Sequence, residues 1–492
     1  MKHVTLLLFF PFLPLYAGAP APAEVQALVD TARGAPAEFA ADALLRVAGL
    51  DKLDKAYRME LLEDAFRLAA GAQQPLKRRP AFFQFEGQTG FLERAWSQDL
   101  DAMSLRMRVV ALMLPLDPAR ARHLFTQTPA PSLSRLTCED PLAYDVSLFY
   151  TVLGRVAAET FSAKEIQNEE PFRLVSRYAA IQSPAQLGPL AHLLATANLK
   201  DAQFQALLAT YTTGMKDLRG DDRSFTFARP AGVQVRELAE AARKRNGNPV
   251  PLIETYRGYL VRQLTGARCN DSLRIDVRLV SESVPTSLRK DQEAMNEAAY
   301  FNDNLRVDPI RPIDTREEQM PSSAAGEAEG VGACGSEECR DIGRRYRDLL
   351  FTPDQRAWSN EEKNSGEWQN RLKEYLSAVA DWKQDTGATA AEHFRFKSSV
   401  YTDLFNAVPN GSGRERVLRA TLTYLQQSRQ EAGSLLEWFL PANVLIGRIA
   451  LDPLGLGPLL EDLKASGDSV ISMYARLEQI APRNPDKILP LF

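Results

Sequence analysis

Apolar residues recur every three or four positions along most of this chain, a spacing that dictates helices with one side to hide. Phe39, Ala43, Leu44 and Val47 fall on one such face, and Tyr57, Leu61, Ala65 and Leu68 repeat the pattern. Trp368, Leu372, Tyr375, Val379 and Trp382 make a third stripe, where tryptophans are expected to fill a core rather than present a ligand surface. Start signals agree. Asp117-Pro118, Asp140-Pro141, Ser183-Pro184, Thr352-Pro353 and Asp452-Pro453 each place a side-chain acceptor before a proline, which is tolerated at the first helical position. Strand signals are scarce: residues 81–85 read equally as a strand or an irregular crossing, and 275–279 as a short strand or the start of a helix.

The expected fold is therefore all-α, with antiparallel helical hairpins packed as a solenoid-like or bundle array. Asp42-Ala43-Leu44 followed by Ala48-Gly49 is echoed by Asp64-Ala65-Phe66 followed by Ala70-Gly71, a faint hairpin repeat. The tetratricopeptide and ankyrin signatures do not occur. A chain of 492 residues exceeds the roughly 250–300 at which single cores stop growing, so two helical domains are expected. Residues 303–338 separate them. Pro309, Pro312 and Pro321 interrupt this stretch, and 322–332 holds almost nothing large and apolar to bury. The expected domains are then 24–302 and 339–492, joined by a Pro/Gly/Ala/Glu-rich linker.

Residues 1–23 read as a secretory signal peptide: Lys2, an apolar run over 4–16, then small residues. The run is shorter than the roughly 20 residues of a membrane span and contains Pro11 and Pro14. Cleavage after Ala19 would set Pro20 beside the cut bond, so the Ala21-Pro22-Ala23 exit before Glu24 fits better. No later stretch is long and apolar enough to span a membrane. A secreted or periplasmic location follows, without an integral membrane segment once the signal is removed.

Export colours the cysteines. Cys138, Cys269, Cys334 and Cys339 are even in number, and an oxidising compartment preserves disulfides. Cys334 and Cys339 enclose a four-residue loop and are the first candidate pair, leaving Cys138 and Cys269 as the second; a buried free thiol at the latter two is the alternative. A zinc site would need a second ligand pair at related spacing, and none occurs.

Catalytic signatures are absent. The histidines beyond His3 are His123, His192 and His393, each alone on a helical pattern. The chain lacks HExxH, G-x-S-x-G and the phosphate-binding P-loop. Residues 330–335 match G-x-G-x-x-G, but no strand precedes them, so the match loses its dinucleotide-binding context. Acidic pairs are too numerous to single one out, since the chain holds 63 acidic against 59 basic residues. The densest positive runs are three residues long, as at Lys77-Arg78-Arg79, too short for a phosphate-matching stripe, which argues against nucleic acid as a partner. No catalytic, cofactor-binding or metal-ligating residue is assigned, and no cofactor is expected.

These readings converge on an exported, non-catalytic helical binding or scaffold protein that recognises another protein or peptide. The alternative is an exported helical hydrolase or lyase that acts on an envelope or extracellular polymer through acidic residues. Export makes a direct prediction: N-terminal sequencing of the protein recovered outside the cytosol should begin at Glu24, and retention of Met1 in a cytosolic pool would refute the signal assignment.

Overall fold

The structure, a computed structural model, describes residues 22–79, 87–137, 140, 142–218, 222, 224, 228–265, 336–452 and 455–482. Of these, 70% are helical, in 21 helices, so the all-α expectation holds. The first half runs α1 (Ala23–Arg33), α2 (Ala37–Ala48), α3 (Lys55–Ala69), α4 (Gly87–Trp96), α5 (Ala102–Met113), α6 (Pro118–Gln127), α7 (Ser147–Glu159), α8 (Ala163–Gln167), α9 (Glu170–Arg177), α10 (Leu187–Thr196), α11 (Asp201–Asp217), α12 (Ala228–Lys244) and α13 (Val250–Thr265). The second runs α14 (Glu337–Leu350), α15 (Asn360–Lys363), α16 (Gly366–Asp381), α17 (Ala390–Ala407), α18 (Ser412–Gln427), α19 (Leu435–Leu451), α20 (Leu459–Lys464) and α21 (Ser469–Ile480). A two-residue ladder interrupts the helices, with β1 (Arg78–Arg79) antiparallel to β2 (Ala143–Tyr144). The two segments with strand character in the sequence, 81–85 and 275–279, lie outside the described residues, as does nearly all of the 303–338 linker.

The apolar stripes do what their spacing requires. Phe39, Ala43, Leu44 and Val47 are all buried, and so are Trp368, Leu372, Tyr375, Val379 and Trp382. Tyr57 and Leu68 sit at the margin of their stripe and pack against the core half-covered. Neighbours in sequence pair off: α1 with α2, α2 with α3, α3 with α5, α5 with α6 and α7, α10 with α11 and α12, α11 with α13.

Helix starts were only partly marked by proline. Asp117 caps α6 through Arg120 N–H at 2.9 Å, and Ser183 caps the short turn leading into α10. Thr352-Pro353 does not open a helix, and Pro141 and Pro453 of the Asp140 and Asp452 pairs lie outside the described residues. Asp140 instead accepts Thr137 N–H at 2.8 Å and Arg78 at 2.9 Å, and Thr352 begins a turn. The same acceptor-proline pair suits a β-turn equally well. Other starts use a side-chain cap without proline, as at Asp54, Asp101, Ser336, Ser365, Ser434 and Asp468, or the reciprocal boxes Ser162/Glu165 and Thr389/Glu392.

The first and last described helices meet. α1 and α2 pack on α21, and α4 leaves its sequence neighbours to pack on α17 and α19. Phe39 lies 4.9 Å from Phe439 and 5.9 Å from Tyr474, ring centre to ring centre, and Phe91 lies 6.4 Å from Phe394 edge to face. Inside this contact is a polar network. Asp42, 7% exposed, accepts Arg108 at 2.6 Å and the Tyr474 hydroxyl at 2.8 Å. Arg46 donates to Glu478 and, at 2.7 Å, to the carbonyl of Ala481.

Burial alone would raise the Asp42 carboxyl, but Arg108, Arg46 and the Tyr474 hydroxyl outweigh it and hold it below the usual range. The sign follows: with a folded-state value below the unfolded one, Asp42 contributes stability that is complete above about pH 4 and is lost as pH falls through its folded value. Asp42→Ala should lower the unfolding free energy by about 3–5 kcal/mol, because it strands buried cations. Tyr474→Phe should cost about 1 kcal/mol. Urea titrations at neutral pH check both, and the same titrations in acid should show Asp42→Ala losing less with pH than the parent chain.

Candidate functional site

The site is built where the early helices adjoin the late ones, on elements that each present one to four residues. A cleft of about 850 Å³ opens between the start of α2, the loop after α3, β1 with the residue before β2, α4, and the start of α19. That volume is in the range of ligand sites, roughly 300–1,000 Å³. Its apolar lining comes from Pro36, Leu92, Trp96, Leu142 and Leu435; its polar lining includes Gln73, Gln74 and Ser434.

Two carboxylates line it, and their environments differ. Glu437 is 6% exposed and pairs with Arg395 at 2.7 Å. Its own N–H donates to the Ser434 hydroxyl at 3.3 Å, which caps α19. The carboxylate folds over Gly433, where a Cβ would come within 2.7 Å of Oε1, so a larger residue there would displace the Glu437 carboxylate. Glu38 is 4% exposed, and its Oε1 accepts the Gln73 backbone N–H at 2.9 Å and Gln74 Nε2 at 3.3 Å. It thereby pins the loop after α3 to the first turn of α2, where an acid is favoured by the exposed N–H groups of a helix start.

The basic run Lys77-Arg78-Arg79 adjoins the cleft, and Arg78 lines it. Lys77 pairs with Asp99 at 2.6 Å, Arg78 with Asp140 at 2.9 Å, and Arg79 lies 3.8 Å from Asp145. These pairs tie β1 to β2 and to the turn before α5; a phosphate-binding surface would need them free. From the α4 side, Gln98 Nε2 reaches the carbonyl of Leu436 at 2.9 Å and joins the two walls.

The three histidines lie on different helices and do not converge. His123, exposed on α6, contacts Gln127 at 3.0 Å, and His192 on α10 meets Glu237 at 3.1 Å. His393 is buried on α17 with its ring edge-on to Trp382 at 4.9 Å. Burial, and next the charge of Lys397, push its pKa down, which keeps the ring neutral at pH 7. One turn further along the helix, Lys397 is itself 5% exposed and donates to the carbonyls of Ala380 and Trp382 at 3.0 and 2.7 Å. A cation at the carbonyl end of α16 is favourably placed, so this pair serves the fold.

The tryptophans confirm the core reading of their stripe. Trp368 Nε1 donates to the Leu349 carbonyl and Trp438 Nε1 to that of Leu425, both at 2.9 Å, so each buried ring locks two helices together. Cys339 is 1% exposed, and its N–H donates to the Ser336 cap at 3.0 Å. Among the described residues no cysteine is a free thiol. Cys138, Cys269 and Cys334 lie outside those residues, as does the 330–335 glycine match.

Among the described residues no helix is long and apolar enough to cross a membrane, and no group of three His, Cys, Asp or Glu side chains could hold a metal ion. Sequence reasoning did not find Glu38, Trp96 or Glu437. Ser434-x-x-Glu437 has the capping-box spacing, which would have flagged Glu437 as a helix start but not as a cleft wall.

Glu38→Ala should free the loop after α3: amide exchange at Gln73 should speed up by an amount that corresponds to about 1–3 kcal/mol, the cost of orphaning a covered donor, while the core of α16 stays protected. Compared with protein-family models, characterised protein sequences and solved structures, the chain matches none.

Proposed function

We propose that this chain is an exported helical protein that binds segments of other proteins or peptides, without chemical turnover, in the cleft between α2, α4 and α19. The observation that carries the reading is the character of the cleft lining. Apolar contacts from Leu92, Trp96 and Leu435 alternate with amide and hydroxyl groups of Gln73, Gln74 and Ser434, a mixture that matches peptide side chains and backbone together. A rigid frame supports it, since both walls are helices tied to a shared core.

The same lining disfavours acid/base chemistry. Hydrolysis of a glycosidic bond uses two carboxyl groups, one as acid and one as base or nucleophile. Glu437 is engaged by Arg395 and by its own capping serine, which leaves Glu38 as a lone carboxylate with no histidine among the described lining residues to assist it.

Export belongs to the same proposal and rests on residues 1–23 alone.

The test is a displayed random hexapeptide library panned against the mature chain, with Trp96 fluorescence as an independent reporter of cleft occupancy. Selected peptides should bind the parent protein and lose at least about tenfold in affinity against Trp96→Ala or Leu92→Arg, since anchor residues in an interface typically contribute 2 kcal/mol or more. Mass spectrometry should recover the peptides intact. Failure of any peptide to perturb Trp96, or turnover of a polysaccharide or peptide panel that Glu38→Gln abolishes, would overturn the binding reading in favour of an enzyme.

A further inference from the structure

Glu38 poses a problem that the peptide-binding reading leaves unanswered. It is a carboxylate at 4% exposure on the wall of an open cleft, and no lysine or arginine among the described residues forms an ion pair with it. Its neighbours show what the fold ordinarily does with such groups: Asp42 has Arg108, Glu437 has Arg395, and Asp140 has Arg78. A charge removed from water is costly unless it is paired as well as hydrogen-bonded. Glu38 has only hydrogen bonds, and both fall on one oxygen, Oε1. Oε2 takes none.

We propose that Oε2 of Glu38 is the receptor for a primary ammonium, so that the cleft selects peptides that insert a lysine side chain. This inference rests on the reading of the cleft as a peptide site. Three features favour lysine over arginine. A guanidinium pairs with a carboxylate as a fork and uses both oxygens, and Oε1 already accepts from Gln73 and Gln74. An ammonium is a compact point charge with three donors, suited to one oxygen. Gln74 gives its Nε2 to Glu38, which turns its amide oxygen into a second acceptor in the same cleft.

The walls suit the rest of the side chain. Trp96, Leu92 and Leu435 offer apolar surface to the four-carbon stem. Arg78 also lines the cleft and would repel a cation if it stood free, but Asp140 neutralises it at 2.9 Å.

The experiment uses the full mature chain and five hexapeptide pools, each randomised except for a central Lys, Arg, norleucine, Nε-acetyl-lysine or Glu. Affinities are read by fluorescence anisotropy at low and high salt. The lysine pool should bind at least about tenfold more tightly than the norleucine and acetyl-lysine pools, consistent with loss of a covered charge pair. It should also bind more tightly than the arginine pool, and its advantage should shrink with salt. Glu38→Gln keeps an amide oxygen for the Gln73 N–H and should erase the advantage of the lysine pool over the norleucine pool, both measured on that variant.

Equal binding of the lysine, norleucine and acetyl-lysine pools to the unaltered chain, or preference for the glutamate pool, would overturn the ammonium site while leaving the peptide cleft standing. No binding by any pool would sink both. The acetyl-lysine comparison needs no variant, so poor folding of Glu38→Gln would not shelter the proposal.

Discussion

Charges withdrawn from water must find partners within hydrogen-bond reach, and the junction between the first and last described helices is organised by that requirement. Asp42 on α2 is held by Arg108 on α5 and by the Tyr474 hydroxyl on α21, and Arg46 on α2 reaches Glu478 and a carbonyl at the end of α21. Four separate side-chain contacts therefore converge from three helices. Aromatic packing of Phe39 on Phe439 and Tyr474 surrounds them, so the ionic groups act at a distance from solvent screening. Such networks are weak sources of net stability, because desolvation offsets much of the attraction. Their effect is on specificity: an alternative docking of α21 would leave several charges buried and unmatched.

That closure makes the cleft. Its walls come from positions separated by hundreds of residues, with Glu38 and Trp96 on one side and Ser434 to Glu437 on the other. Gln98 bridges them through the Leu436 carbonyl. On the proposed reading, a ligand lodged there would contact both walls and stabilise their docking by mass action.

Inside the second half, polar groups follow the same rule by different means. The indole N–H groups of Trp368 and Trp438 each take a main-chain carbonyl of a neighbouring helix. Lys397 uses two carbonyls at the end of α16 and lies over the Tyr424 ring at 5.2 Å. His393 beside it stays neutral. These residues could be mistaken for a reaction centre from their chemistry alone, yet the indole N–H groups and two of the Lys397 donors are directed at backbone carbonyls.

Periodic apolar residues were enough to foretell the helices, the core role of the Trp368 to Trp382 stripe and the burial of the Phe39 face, because amphipathic spacing is a local property and is read within a turn or two of chain. Capping serines, threonines and aspartates were equally local, although an acceptor followed by proline proved ambiguous between a helix and a turn. The echo between Asp42-Ala43-Leu44 and Asp64-Ala65-Phe66 marks the limit. Both aspartates occupy the same place in similar helices, but Asp64 bonds Arg33 nearby at 2.6 Å, whereas Asp42 is buried against a tyrosine 432 positions away. Likewise nothing near Glu38 announces that it will line a cleft with Glu437. Helix formation depends on neighbours along the chain, whereas the pairing of distant charges and the shape they enclose depend on how finished helices dock, and that packing is settled only in three dimensions.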